Sequence, residues 1–182
     1  WLRRFSAVTL GLALASWLTV APRPRSDQAQ LPQLDLHVSL RNQVLLADSL
    51  RHARATSRRP PGRRWVPGAI QTASGALPCQ IGLHGDSSNH WDRSKFSLRV
   101  RLRQRTAWNH ARDFRLIVPQ DRGFLFEQCA TWWNRRLGLV SCASQLVDVS
   151  LAGSKLGIYT WIESLSAGQL ERAGQPVGPI FK

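Results

Sequence analysis

The chain has 182 residues, which is enough for one domain with additional segments, and its 43% hydrophobic content excludes a wholly disordered polypeptide. Basic residues outnumber acidic ones by 25 to 11, which gives a formal net charge of +14. This charge suits nucleic acid, anionic lipid, or an acidic or phosphorylated protein as a partner, and charge alone does not choose among them.

The first 22 residues have the layout of a signal anchor or a signal peptide. Basic residues in Trp1–Arg4 precede an apolar stretch from Phe5 to Ala21. A membrane span needs about 20 apolar residues, so this stretch is marginal in length. Pro22 is unfavourable directly after a cleavage point. We therefore favour an uncleaved, single-pass anchor over a removed peptide. Arg3 and Arg4 favour an exported domain at the cell envelope, whereas Arg23 and Arg25 favour the opposite orientation.

Residues 23–77 are rich in Arg, Pro, Ser and Gln and are predicted to form a basic linker with some ordered structure. Within it, Leu34–Leu50 has enough Leu and Val for a strand and a short helix, whereas Arg54–Arg64 should stay mobile. The arginines of Arg58–Arg64 could bind phosphates, lipid headgroups or nucleic acid, but such a run is more commonly a solvated linker. We regard a nucleic-acid partner as unlikely.

From Cys79 onward the pattern indicates regular secondary structure. Residues 95–103 alternate strictly between polar and apolar side chains, which predicts a half-buried strand. Shorter runs at 80–83 and 114–118 predict two further strands. Residues 145–151 and 156–163 predict a hairpin, because a turn sequence, Ala152-Gly-Ser-Lys155, joins them.

One main helix is predicted between these strands, with Asp121 as its cap and Gly138 at its end. Apolar residues recur at every fourth position of this helix, at Leu125, Cys129, Trp133 and Leu137. Polar residues fall on a different face, at Glu127, Thr131, Asn134 and Arg135. The order of elements predicts an α+β fold in which an antiparallel sheet packs against this helix.

The three cysteines, Cys79, Cys129 and Cys142, have no paired spacing. Burial as small apolar residues is the expected outcome for them. One disulfide with a spare thiol remains open if the domain is exported.

Four segments, in the same order along the chain, resemble the CotH family, named for spore-coat protein H. They are His84–His90 followed by Lys95 and a strand, Phe126–Gly138, Leu151–Glu163 and Gly178–Lys182. The similarity covers residues 79–182. Ala152 stands where the family usually has Asn, and Phe126 where it often has Arg, which makes this chain divergent.

The resemblance implies a protein-kinase-like N-terminal lobe at residues 78–182, truncated at its C-terminus. It also implies binding of ATP with Mg or Mn, and phosphorylation of protein Ser residues. Lys95 is the candidate to hold the α/β-phosphates and Glu127 to orient it. Arg115 is the rival for the place of Lys95.

A further nucleotide-binding candidate by the same resemblance is Glu163, near the adenine. Gly85, Ser87 and Ser88 are candidates from their own residue types, because one Gly with small polar residues can present backbone N–H groups to a phosphate. Each has an ordinary structural alternative, in which Glu163 is a glutamate at the end of a strand and residues 84–90 form a plain β-turn. Likewise, Lys95 has the alternative of a solvated strand face, and Glu127 that of an exposed partner for an Arg. The family's catalytic and metal-holding Asp residues are expected after Lys182, so no catalytic residue or metal ligand is assigned and the chain should not transfer phosphate by itself.

Other classes of protein have weaker support. A zinc site from Cys79, His84, His90 and Asp92 fits no standard spacing. A Ser-His-Asp hydrolase lacks a Gly-x-Ser-x-Gly elbow. The serious alternative is a non-catalytic, membrane-anchored surface or assembly protein that keeps the CotH-like fold.

Overall fold

The structure is a computed structural model that describes residues 30–58, 64–91, 94–103 and 106–178. The predicted anchor at residues 1–22 lies outside these ranges, as do residues 59–63 of the arginine-rich run and residues 179–182 of the last CotH-like segment. Across the described ranges, no helix has both the length and the apolar character that crossing a bilayer requires.

Seven strands form a closed barrel in the order β1-β2-β3-β4-β5-β7-β6. Their bounds are β1 (Gln33–His37), β2 (Val66–Thr72), β3 (Gly75–Leu83), β4 (Leu98–Leu102), β5 (Asp113–Ile117), β6 (Ser144–Leu151) and β7 (Ser154–Glu163). All neighbouring strands are antiparallel except β1 and β6, which are parallel.

The predicted fold class is therefore wrong. The chain forms a mixed, closed barrel with three short helices, and not a kinase-like N-terminal lobe with an antiparallel sheet and one main helix. The difference lies in β1, which pairs with β2 on one side and with β6 on the other. Both edges of β1 are thus hydrogen-bonded, and the sheet closes on itself.

Alternating side chains fill the barrel. On β4, Leu98, Val100 and Leu102 are buried, whereas Arg99 and Arg101 point outward. Phe114 of β5 and further aromatic side chains from β7 pack beside them. The predicted alternation is confirmed for residues 98–102, where the strand lies, and is wrong at Ser97, which was expected on the polar face and is buried. The alternation of apolar and polar residues is visible in the sequence because only one face of the strand is buried.

The predicted hairpin is also confirmed as β6 and β7. Its turn places Ala152 at φ 50° and Gly153 at φ 81°, so both central residues are in the left-handed region. A two-residue turn of this kind matches the twist of the strands, and it favours Asn or Gly over Ala at its first position. Ala152 is therefore a locally strained choice.

The described residues form three α-helices, α1 (Leu40–Thr56), α2 (Phe126–Arg136) and α3 (Ala167–Arg172). Helix α1 is the helix expected after β1 and runs to Thr56, beyond the predicted limit at Leu50. Its cap is Ser39, whose hydroxyl accepts from the Asn42 backbone N–H at 3.4 Å. Strand β2 and helix α3 were not predicted.

Asp121 does not cap α2. It lies in a 3₁₀ turn, Pro119–Arg122, and the residue that precedes α2 is Leu125. The predicted cap is wrong because a second left-handed turn, at Gly123 and Phe124, separates Asp121 from the helix.

Candidate functional site

Lys95 lies just before β4 and reaches across to β7. Its ammonium group donates to the backbone carbonyl of Ile158 at 3.2 Å and stands 5.3 Å from the centroid of the Tyr159 ring. It also lies close to Gly157, whose φ of +80° and lack of a side chain leave room for it. Lys95 is therefore held at a defined place rather than on a freely solvated strand face.

Lys95 lines a cavity of about 410 Å³ between the β6–β7 hairpin and the turn that precedes α2. The other walls are mainly apolar and come from Pro119, Gln120, Phe124, Leu125, Leu146 and Ile158. Small-molecule sites are commonly clefts of this size, apolar with a few polar groups. The ammonium group is the one charged group among the lining residues.

Glu127 lies in the first turn of α2 and pairs with Arg122, with a carboxylate-to-guanidinium distance of 3.2 Å. No ion pair joins it to Lys95, although both residues belong to the described part of the chain. Both candidates thus have other partners here. The predicted pairing of these two side chains over a triphosphate is not formed, and their roles stay a prediction.

Arg115, the rival candidate, is half-buried on β5. Burial lowers the pKa of the Arg115 guanidinium, and the nearby Glu127 carboxylate acts in the opposite direction. Arg115 donates to the backbone carbonyl of Glu163 at 3.2 Å. The resemblance favoured Lys95 over Arg115, and the bond from Arg115 to the end of β7 was not predicted.

Glu163 ends β7 with its side chain buried. Its carboxylate pairs with Arg172 of α3, whose other nitrogen donates to the backbone carbonyl of His110 at 3.2 Å. Glu163 also lines a depression of about 240 Å³ together with Arg135, Ser141 and Gln169. It does not line the Lys95 cavity, so the two nucleotide-binding candidates lie in different depressions.

The turn at residues 84–90 is organised by its own contacts. Gly85 has φ +98°, and a Cβ at this position would overlap the His90 ring, so glycine is required there. Ser87 precedes a 3₁₀ turn, Ser88–His90, and its hydroxyl bonds the Asn89 side chain. Trp91 Nε1 donates back to the His84 carbonyl at 2.9 Å. The segment is a compact turn, and its use as a phosphate cradle stays a prediction.

His90 ties this turn to the chain ahead of α2. Its Nδ1 lies 3.1 Å from Asp121 Oδ2, and the Asp121 side chain is only 1% exposed. A carboxylate so deeply buried needs a close cationic or hydrogen-bonding neighbour. The two atoms do not have hydrogen-bond geometry, so among the described residues the contact is a close approach of side chains from two loops, which the spacing of Asp121 before α2 did not reveal.

Helix α2 packs in the opposite orientation to the one its apolar pattern predicts. Its one buried residue is Thr131, whose hydroxyl donates to the Cys142 carbonyl at 3.2 Å and lies 3.2 Å from Ser144 Oγ. The apolar residues face outward, and Trp133 is 58% and Leu137 59% exposed. Further large apolar side chains are exposed on and beside the helix, at Phe124, Leu125, Phe126, Trp132, Leu139 and Val140.

The three cysteines are free. Cys79 is buried, which raises the pKa of its thiol to about 12, whereas Cys142 is half-buried and Cys129 is exposed on α2. The predicted burial of the cysteines is thus confirmed for Cys79 and wrong for Cys129. The predicted zinc alternative has no support in the described residues, where no group of three His, Cys, Asp or Glu side chains is arranged to hold a metal; Asp92 lies outside them.

Comparison with known proteins adds no support to the resemblance to the CotH family, which rests on its four segments. No protein-family model matches the chain, and no curated protein sequence matches it.

Proposed function

We propose that this chain is the nucleotide-binding part of a CotH-type, ATP-dependent protein kinase, anchored in a membrane by residues 5–21. The observation that carries the proposal is that Lys95, the residue matched to the family's phosphate ligand, lines an apolar cavity of about 410 Å³. The proposal concerns ligand binding and not the fold, which is a barrel.

The chemistry of this cavity suits a nucleoside triphosphate. Apolar walls from Leu125, Leu146 and Ile158 can cover a purine ring, and an ammonium group beside them can neutralise a phosphate. Lys95 now donates to a backbone carbonyl. An ammonium-to-phosphate bond, in which both partners are charged, is stronger than this ammonium-to-carbonyl bond, so a ligand can displace it.

Divalent metal would enter with the nucleotide. Mg²⁺ is commonly bound by substrate phosphates and water with only one or two carboxylates, so a dedicated protein cage is not required. When bound, the metal would neutralise charge on the triphosphate. The residues described here would position the nucleotide, and none of them is assigned a catalytic role.

The test is titration of the folded protein with ATP and MgCl₂, followed by calorimetry. We expect binding by the native chain and a loss of about tenfold or more in Lys95→Met, because one charge-assisted contact to phosphate is worth about 1.5–3 kcal/mol. Methionine keeps the apolar stem. Lys155→Met is the matched control, since the Lys155 side chain is 77% exposed and pairs with the Asp148 carboxylate at 3.1 Å.

Equal affinities of Lys95→Met and the native chain would contradict the proposal, as would failure of the folded native chain to bind ATP at all. Thermal unfolding of each variant shows whether it is folded. Glu127→Gln is a separate measurement. A weaker effect than that of Lys95→Met is expected, because Glu127 pairs with Arg122 and not with Lys95.

The second candidate is a non-catalytic surface or assembly protein. The outward-facing apolar residues of α2 favour it, because contiguous exposed apolar patches usually mark interaction sites. A folded native chain with no affinity for ATP would support this candidate over the kinase proposal.

A further inference from the structure

The outward surface of α2 is an open apolar face that the helix builds almost by itself. Its exposed apolar side chains are Leu125, Phe126, Cys129, Trp132 and Trp133. All residues that line this surface belong to the single segment 125–134, so the face has no second wall and is convex. A convex apolar face suits a broad, deformable surface better than it suits an inserted ligand.

The residue types on this face are those of helices that lie at a membrane–water interface. Such helices carry Trp, Phe and Leu on one side and polar residues on the other. Tryptophan is favoured at the headgroup level of a bilayer because its ring is amphipathic, and Trp132 and Trp133 are both more than half exposed. The polar side of α2 rests on β6 through Thr131, so the barrel holds the apolar side outward.

Positive charge accompanies the apolar face. The exposed Arg136 guanidinium lies 5.1 Å from the centroid of the Trp132 ring, at the edge of the face. Arg135 lines a different depression and is not counted here. The one acidic residue of α2, Glu127, is paired with Arg122 at 3.2 Å, so the helix adds no unpaired carboxylate. Together with the net charge of +14, this arrangement attracts an anionic surface.

Shape and charge together select one occupant. A second copy of the chain also carries a net charge of +14, so two such faces would bring like charges together. A helix from another protein is usually bound in a groove, and this face has no second wall. A zwitterionic bilayer fits the shape but leaves the positive charge without a complement. An anionic bilayer fits both.

We propose that the outward face of α2 docks on the interfacial region of an anionic lipid membrane. The side chains of Phe126, Trp132 and Trp133 would enter the boundary between headgroups and acyl chains, and Arg136 would pair with lipid phosphates. This inference goes beyond nucleotide binding in the Lys95 cavity and does not depend on it. It is also distinct from anchoring by residues 5–21, which would tether the chain without any contact from α2.

The experiment uses Cys129, a thiol that already lies on the proposed face. Cys79 is buried, so the substitution Cys142→Ala leaves Cys129 as the accessible thiol for an environment-sensitive fluorophore such as nitrobenzoxadiazole. The comparison protein carries Cys129→Ser, Cys142→Ala and Leu40→Cys. It places the same label on α1, at a position whose native side chain is 76% exposed. Both proteins are full chains and keep residues 5–21.

Phosphatidylglycerol vesicles should shift the emission of the label at Cys129 to the blue, and a nitroxide-labelled lipid should quench it. We expect this quenching to be at least about threefold stronger than at position 40, because interfacial helices bury their apolar face about 5–10 Å into the boundary. Phosphatidylcholine vesicles should give a several-fold weaker response at Cys129, because they lack the anionic charge.

Two substitutions in the Cys129-labelled protein separate the apolar from the electrostatic contribution. Trp133→Gln should weaken the response to both lipids, whereas Arg136→Gln should mainly reduce the preference for phosphatidylglycerol. Arg51→Gln is the matched control, since the Arg51 side chain is 78% exposed on α1 and should leave that preference unchanged. Thermal unfolding of each variant shows whether it is folded.

Several results would overturn the proposal. If the chain sediments with vesicles while the label at Cys129 stays in water, residues 5–21 attach it without α2. Equal quenching at Cys129 and at position 40, or equal responses to the two lipids, would contradict docking of this face on anionic lipid. A blue shift at Cys129 that needs no vesicles and grows with protein concentration would show that the face binds a second copy.

Discussion

At the scale of single residues, Asp113 organises the outer surface of the barrel. Arg99 donates to both of its oxygens at 2.7 Å, Arg101 donates at 3.1 Å, and Ser164 donates from beyond β7 at 2.8 Å. Burial by itself would raise the pKa of Asp113, but the hydrogen bonds from Arg99, Ser164 and Arg101 outweigh it and the pKa is lowered. The carboxylate therefore joins β4, β5 and the segment after β7.

Asp113→Asn should lower the free energy of unfolding by about 1–2 kcal/mol, because an amide nitrogen would face donors that now meet an oxygen. A lowered pKa in the folded state stabilises the native chain above the ordinary value of 3.8, and this contribution is lost as the pH falls through the folded pKa. The native protein should therefore lose stability below about pH 4 more steeply than the variant.

Urea unfolding at neutral and acidic pH measures both effects of Asp113→Asn. Asp48→Asn is the control, since Asp48 pairs with Arg51 on an exposed part of α1 and should change stability by less than about 0.5 kcal/mol. Equal losses in the two variants would show that the hydrogen bonds around Asp113 do not stabilise the barrel.

At the scale of elements, α2 shows how a helix can bury its polar side. Its apolar residues repeat every four positions, yet the helix rests on β6 through Thr131. Cys142, just before β6, and Ser144, the first residue of β6, present a carbonyl and a hydroxyl to the helix. A hydrogen-bonding side chain satisfies these two polar groups, and an apolar one would not. The apolar face is consequently left available for binding.

Thr131→Val should destabilise the protein by about 1 kcal/mol, because it removes a hydroxyl that bonds β6 while keeping its shape. Trp133→Gln should change stability by less than about 0.5 kcal/mol, since the tryptophan is already exposed. Thermal or urea unfolding of both variants provides the comparison. If the apolar face were packed on the barrel instead, the tryptophan substitution would cost several kcal/mol and the threonine substitution little.

At the scale of the whole molecule, closure of the barrel depends on β1. Its five residues alternate between exposed and buried, with Leu34 and Leu36 in the core. The parallel pairing of Leu34 with Val149 and of Leu36 with Leu151 connects segments that are more than 100 residues apart. Such a contact contributes to the core only when the complete barrel forms.

Leu36→Ala should cost about 2–5 kcal/mol, as expected for a leucine removed from a packed core. Leu40→Ala is the same substitution four residues later on a side chain that is 76% exposed, and it should be nearly neutral. Hydrogen exchange provides the second measurement, with the β1 amides that bond β2 exchanging faster in Leu36→Ala. Similar stabilities of the two variants would indicate that β1 is not part of the cooperative unit.

Part of the candidate site was predictable from sequence and part was not. Lys95, which lines the cavity, and Glu127, which does not, could both be named as candidates from the order of the segments, because motifs lie in short stretches of chain. Their partners, Ile158 and Arg122, could not, since a backbone carbonyl on β7 leaves no signal near Lys95 in the sequence. The contact between His90 and Asp121 was missed for the same reason.

The amino-acid sequence by itself determined the alternation of β4, the β6–β7 hairpin and the existence of α2, because these depend on neighbours within a few residues. Only the tertiary structure decided that β1 closes a barrel and that α2 turns its tryptophans outward. Strand pairing across more than 100 residues, and the choice of which helix face is buried, depend on the surface that each element meets after the chain has folded.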